Sequence, residues 1–299
     1  MRPLETISLL LIGASIYLLI FKKDEKKFLA TLFFSILGVI SQYYVEGFRW
    51  QFNLAIFILP FIYLRFKLFS RKNIALNTIT IIWFFLASFI PYIIPVFNLP
   101  SLDGESEVGT ELFCWTDSTR SEWFTEEDST DFRKLVVQSW YPGEKERLAE
   151  PEPYMNYMAL RAKTMAEAGK IPSFLPTHLK YVKSNSFKSI PVKSSDQKLP
   201  ILIFSHGITG SRLLHQALFE SLASKGYAVF AINHSYDANI TIYPDSSIAD
   251  YRSDLTGHPD SLSIRRNQII TRTKDIVFLI NQLEGIESKK TTSILFNHL

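Results

Sequence analysis

Four apolar stretches fill the first hundred residues and restrict what this chain can become more than anything after them. They run approximately Leu4 to Phe21, Phe28 to Val45, Phe52 to Tyr63 with an apolar extension to Phe69, and Ile74 to Phe97. Each approaches the ~20 residues a helix needs to cross the hydrocarbon core of a bilayer. The third is the weakest, because it holds Asn53 and Pro60 and ends at Arg65. Phe21 leads into "KKDEKK" and a second apolar run with no small-residue cleavage site, so the first stretch reads as a span and not as a leader. Buried helices of a large soluble core are the competing reading, and the length of the uncharged runs weighs against it.

The loops between these stretches are unequal in charge. Lys22, Lys23, Lys26 and Lys27 separate the first two; Arg65, Lys67, Arg71 and Lys72 separate the last two; the middle loop has only Arg49. With four spans the first and third loops share a side, and the positive-inside bias assigns that side to the cytoplasm. Both termini are then expected outside it, and the acidic segment "LPSLDGESEVGTE" fits a non-cytoplasmic flank. Gln42 and Asn53 read as the notable polar groups within the spans, with no acidic residue marking a transport path.

Beyond about Pro100 the composition changes to that of an ordinary soluble domain. The expected division is a four-span module over 1–99 and an α/β domain over 100–299, long enough to bury a real core. A formal net charge of +3, with Lys and Arg partly gathered beside the spans, does not indicate a nucleic-acid partner. The lone Cys114 excludes an intrachain disulfide framework and a cysteine-based zinc site. No pair among His178, His206, His215, His234, His258 and His298 has the helical spacing of a zinc site, so no metal or other cofactor is expected.

Strands and helices alternate in this second part. "GTELFCWTD" and "RKLVVQSWYP" read as early strands, and the polar, proline-punctuated stretch from Glu144 to Lys198 as a surface excursion with a helix near Met155 to Ala168. "LPILIFSHG", a helix from about Leu213 to Lys225, and "YAVFAINHS" then make a βαβ unit in a mostly parallel sheet covered on both faces. A long polar loop and a helix from about Ser263 to Leu283 follow.

The apolar strand in "PILIFSHGITGSR" stops at a small, glycine-bearing turn. Enzymes that attack carbonyl carbon need backbone N–H donors fixed before reaction, and a loop at the carboxyl end of a buried strand presents them rigidly. Gly207 is expected to let the backbone fold sharply with no side chain obstructing a substrate.

The collinear series "GTELFCWTD", "DFRKLVVQSWYP", "PILIFSHGITGSR", "LASKGYAVFAINHSYDA" and "RTKDIVFLINQL" resembles the bacterial-type relatives of platelet-activating factor acetylhydrolase over roughly Val108 to Leu299. The resemblance implies an α/β-hydrolase domain, a Ser-His-Asp triad without metal, and short-acyl or phospholipid-like esters as substrates. It implies that the N–H of Ile208 donates to the oxyanion and that His206, Gly207 and Thr209 line the substrate side of the turn. One departure is large: no Gly-x-Ser-x-Gly elbow occurs anywhere in this sequence. The domain is therefore expected to be incomplete, with the chain itself inactive.

The remaining candidates have plain readings. Ser205 lacks elbow geometry; His206 reads as a ring pinned at a strand end by backbone hydrogen bonds; His234 and Asp237 belong to a loop that shapes the pocket; His258 sits in a solvent-facing turn. The expectation is a multi-pass cell-membrane ester hydrolase, its hydrolase part on the non-cytoplasmic side, with the lipid bilayer and an ester or phospholipid as partners. Two alternatives stay open: a non-catalytic membrane-anchored remnant with a binding or scaffold role, and a membrane protein whose soluble part is regulatory.

Overall fold

The computed structural model describes residues 1–22, 24–70, 72–144, 149–194 and 198–287. The chain divides into two compact units, Met1–Phe97 and Asn98–Leu299.

The first unit is helical. α1 (Pro3–Tyr17) continues as a wider turn to Lys22, and α2 (Glu25–Glu46), α3 (Asn53–Leu68) and α4 (Ile74–Ile93) follow. Polar residues in the short connections start two of them: Asp24 accepts from the Lys27 N–H at 3.1 Å and Asn73 from the Leu76 N–H at 3.1 Å. By length and composition all four segments could cross a membrane. Their shared core is built from Ile12, Ile16, Phe28, Phe52, Ile58 and Ile62.

Polarity inside this unit is greater than Gln42 and Asn53 alone. Glu5, in the first turn of α1, is fully buried and takes two hydrogen bonds from Arg49, Nε to Oε1 and Nη2 to Oε2, both at 2.5 Å. Arg49 also donates to the carbonyl of Ile94 at 2.9 Å. The single basic residue of the middle connection is thus spent on a buried ion pair. Arg65 is also buried, its guanidinium donating to the Asn77 side chain.

The second unit is an α/β domain with a mixed sheet. Its strands are β1 (Glu107–Ser121), β2 (Phe132–Gly143), β3 (Pro151–Pro153), β4 (Lys183–Lys188), β5 (Ile201–Ser205) and β6 (Ala228–His234), in the order β3-β4-β1-β2-β6-β5. β1 and β2 form a long antiparallel pair in which Val108 faces Pro142 and Asp117 faces Arg133. β2 is antiparallel to β6 and β3 to β4; among the described residues only β1–β4 and β5–β6 are parallel. The expectation of a mostly parallel sheet is therefore corrected among the described residues. Its source was the one βαβ unit, β5-α6-β6, whereas β1 and β2 return on each other through a short connection. The Glu144–Lys198 stretch is not only an excursion either, since it supplies β3 and β4 as well as α5 (Met158–Gly169). The polar loop after β6 holds a small hairpin, β7 (Ile240–Ile242) with β8 (Ile248–Asp250).

Two helices cover the sheet from opposite sides. α6 (Gln216–Ser224) lays Phe219 and Ala223 against Val108, Trp140, Val229 and Ala231. On the other face Leu279 and Leu283 of α7 (Ser261–Glu287) pack with Leu135, Val137, Phe230 and Ile232. β6 therefore buries odd residues on one face and even residues on the other, which is why it reads as a continuous apolar run. Each large side chain so placed contributes roughly 1.5–3 kcal/mol. A close approach fixes Gly109 of β1: a Cβ there would lie 2.3 Å from the ring of Tyr141, whose hydroxyl donates to the Ile190 carbonyl at 2.9 Å.

Candidate active site

β5 and β6 are parallel, with Ser205 in register with Ile232, so their carboxyl ends emerge side by side. The turn after β5 and the residues after β6 are consequently neighbours. In open α/β sheets this is where ligands bind.

The turn is secured at nearly every polar group. His206 is 1% exposed; its Nε2 accepts from the His234 backbone N–H at 3.1 Å, which leaves Nδ1 protonated to donate to the Gly207 carbonyl at 2.6 Å. Thr209 donates its N–H to the Asp237 carbonyl at 3.2 Å, and the Gly210 carbonyl accepts from the Asn239 N–H at 3.0 Å. Arg272 of α7 donates to the carbonyl of His206 and, at 3.1 Å each, to Ser205 Oγ and Asp237 Oδ2. Among the described residues, the N–H groups of Gly207 and Ile208 donate to nothing. Ile208 itself is 44% exposed.

The glycine that this geometry requires is not Gly207. A Cβ at Gly207 would meet open space and its φ is not positive, whereas one at Gly210 would lie 2.8 Å from the Gly207 carbonyl oxygen. The residue held left-handed is Thr209, at φ 59°. His206 braces the turn from beneath, while Gly207 and Ile208 present their backbone outward.

Behind the turn lies a hydrogen-bonded chain that sequence reasoning did not find. Ser205 Oγ is 2.9 Å from His234 Nε2, and His234 Nδ1 is 2.8 Å from Asp275 Oδ2 on α7. The carboxylate fixes the proton on Nδ1, so the serine hydroxyl donates to Nε2. Arg133 of β2 grips the carboxylate from the other side, at 2.6 Å to Oδ2 and 3.2 Å to Oδ1, and Arg120 reaches Oδ1 at 2.9 Å. Burial alone would raise the Asp275 pKa; the Arg133 charge and the hydrogen bonds from His234 and Arg133 overcome it and hold the group well below the usual carboxylate range. Burial lowers His234 despite the opposing carboxylate, and lowers His206 to about 4. Both rings are neutral at neutral pH.

Order along this chain is that of a nucleophile, a base and an orienting acid. Two details separate it from a nucleophile elbow. Ser205 ends a regular strand with no left-handed backbone strain, and its Oγ also receives a guanidinium. His234 and Asp275 lie far apart in sequence. The available signal was a stripe of polar residues, Gln268, Arg272 and Asp275, continuing the sheet-facing side of α7 that Leu279 and Leu283 occupy further on.

A turn of free backbone N–H groups at the ends of two parallel strands is suited to receive an oxygen that carries negative charge. The family model described as platelet-activating factor acetylhydrolase, isoform II, matches residues 98–298, and the chain belongs to that family. A protein of Arthroderma benhamiae named "Probable 1-alkyl-2-acetylglycerophosphocholine esterase" is 26% identical over 213 residues, covering 68% of this chain and 53% of that protein. The platelet-activating factor acetylhydrolase of Canis lupus familiaris is 30% identical over 100 residues, 30% of this chain and 22% of that one. A ferulic acid esterase from Streptomyces cinnamoneus superimposes with a TM-score of 0.49 at 25% identity, over 67% of this chain and 51% of that one. The chain spans about half, or less, of the length of these relatives.

Proposed function

We propose that this chain is the membrane-held, carbonyl-recognising part of a carboxylic ester hydrolase for phospholipid-like or short-acyl esters. The observation that carries the reading is the turn after β5, in which neighbouring groups are bonded and, among the described residues, the N–H groups of Gly207 and Ile208 donate to nothing. Preorganised donors of this kind stabilise an oxyanion without reorganising during reaction. The named activities of the relatives support the ester class. Four helices of spanning length support anchorage, and the lysines flanking α2 and α4, with Arg49 withdrawn into an ion pair, support a hydrolase part outside the cytoplasm.

On this reading Ser205, His234 and Asp275 brace the turn, and with no Gly-x-Ser-x-Gly serine the chain does not turn over esters by itself. A second reading has the 2.9 and 2.8 Å contacts in its favour and makes Ser205 the nucleophile. Full-length protein in detergent, assayed with a short-acyl p-nitrophenyl ester and an acetylated glycerophospholipid, separates the two. Background rates are expected. Saturable turnover abolished both by a serine-reactive phosphonate and by Ser205→Ala would install the second reading instead.

A further inference from the structure

Each free N–H of the turn after β5 belongs to a peptide unit whose carbonyl is held from behind. A trans peptide is planar, with its N–H and C=O pointing in opposite directions, so a bond that fixes the carbonyl aims the N–H away from the bonding partner. The Ile208 N–H shares its peptide with the Gly207 carbonyl, which accepts from His206 Nδ1 at 2.6 Å and from the Gly210 N–H at 2.9 Å. The Gly207 N–H shares its peptide with the His206 carbonyl, and among the described residues the group that donates to this carbonyl is the Arg272 guanidinium. Neither free donor is placed by a contact of its own. Each is placed through the oxygen on the far side of its peptide.

Three acceptors fix the guanidinium in turn. Nη1 donates to Asp237 Oδ2 at 3.1 Å, while Nη2 gives one hydrogen to Ser205 Oγ at 3.1 Å and the other to the His206 carbonyl. These acceptors belong to the end of β5, to the turn and to the segment after β6, so one side chain of α7 sets the relation among all three. Asp237 is 4% exposed, and its backbone carbonyl takes the Thr209 N–H at 3.2 Å, which ties the left-handed residue of the turn to the same anchor. Two effects follow for Gly207. Its peptide cannot rotate without giving up a charge-assisted bond, and a charged donor on the carbonyl oxygen polarises the peptide and strengthens its N–H as a donor. Beyond its chain neighbours, no atom lies within 4 Å of where a Gly207 Cβ would stand, so the turn is unobstructed there.

We propose that Arg272 is the positioning residue of this turn: its grip on the His206 carbonyl aims the Gly207 N–H outward beside that of Ile208, which makes the turn a two-donor site for an oxygen bearing negative charge. The role deepens the ester-hydrolase reading and rests on it only for the identity of that oxygen. A donor pair binds an anionic oxygen whether or not chemistry follows.

The test follows two backbone amides by NMR in the full chain, isotopically labelled at the glycine and isoleucine nitrogens and held in non-ionic detergent. Gly207→Ala and Ile208→Leu identify the two signals by deleting one each. Acetate is the anionic probe and acetamide its neutral control. Both amide protons should shift saturably with acetate and little with acetamide, since an ionised acceptor makes a bond roughly twice as strong. In Arg272→Met the Gly207 response should vanish while that of Ile208, still aimed by His206, persists with acetate bound about tenfold more weakly. Arg272→Lys keeps a charged donor and should restore part of the Gly207 response; it also serves if the methionine variant does not fold. His206→Asn should give the mirror result, weakening the Ile208 response and sparing that of Gly207. No saturable response of the Gly207 amide, an unchanged one in Arg272→Met, or an equal loss at both amides in the Arg272 variants that fold overturns the proposal. Ester turnover has no part in this readout, so the positioning role and the hydrolase reading stand or fall separately.

Discussion

Asp275 Oδ2 lies 2.8 Å from His234 Nδ1, and the same carboxylate is gripped by Arg133 and Arg120 from the strands beneath. One helical side chain thus joins α7 to β1, β2 and the end of β6. Asp275→Asn keeps the shape and an acceptor for His234 while removing the charge that two guanidiniums face. The expected loss is about 3 kcal/mol, because breaking a buried pair from one side leaves its cations uncompensated. Urea unfolding followed by tryptophan fluorescence checks it, and an unchanged midpoint would show that Glu122 and Asp117 suffice for Arg133 and Arg120.

Acid should loosen the turn before it protonates most carboxylates. His206 titrates near pH 4 when folded, against 6.5 ordinarily, so between these values the unfolded chain binds more protons. Its contribution is complete above about pH 6.5 and is lost as pH falls towards 4, a span worth about 3 kcal/mol. His234 is shifted in the same direction, and the contribution of Asp275 fades only below the usual carboxylate range. Thermal midpoints measured from pH 7.5 to 4.5 should fall steeply for the natural chain and less so for His206→Asn. Parallel curves would remove His206 from the account.

The Ile208 donor is tested where a nucleophile is supplied. In a chimera placing residues 98–287 into the Arthroderma relative, Ile208→Pro deletes the N–H without touching β5. The loss in kcat should be on the order of 10²-fold or more, with KM little altered. Full activity in the folded variant would refute the assignment.

Sidedness is accessible to labelling. In a Cys114→Ala background, cysteines at the exposed positions Lys26 and Lys183 should differ in intact cells, an impermeant maleimide modifying only the second. Modification at Lys26 in its place would invert the proposed topology.

Much of the domain was legible because its strands announce themselves. Phe132–Gly143 and Ala228–His234 are dense in β-branched and aromatic residues, and Ser205 to Gly210 marks where β5 must end. What stayed hidden depended on partners distant in sequence. Nothing local to "RTKD" says that Asp275 meets His234, and the βαβ pattern at β5 and β6 suggested a parallel sheet that the β1–β2 and β2–β6 pairings contradict. Glu5 was overlooked for a related reason: a carboxylate at a helix start reads as a solvent-facing cap until Arg49 closes on it.

That pairing has a consequence for how the chain is made. Synthesis proceeds from the amino terminus, so Glu5 exists 44 residues before its guanidinium does. The ends of α3's neighbours are committed later still, since Arg49 also needs the carbonyl of Ile94. Arg2 accompanies Glu5 from the start at 2.7 Å, so what Arg49 adds is a tie between the first turn of α1 and the carbonyl that follows α4, closed only when both are present.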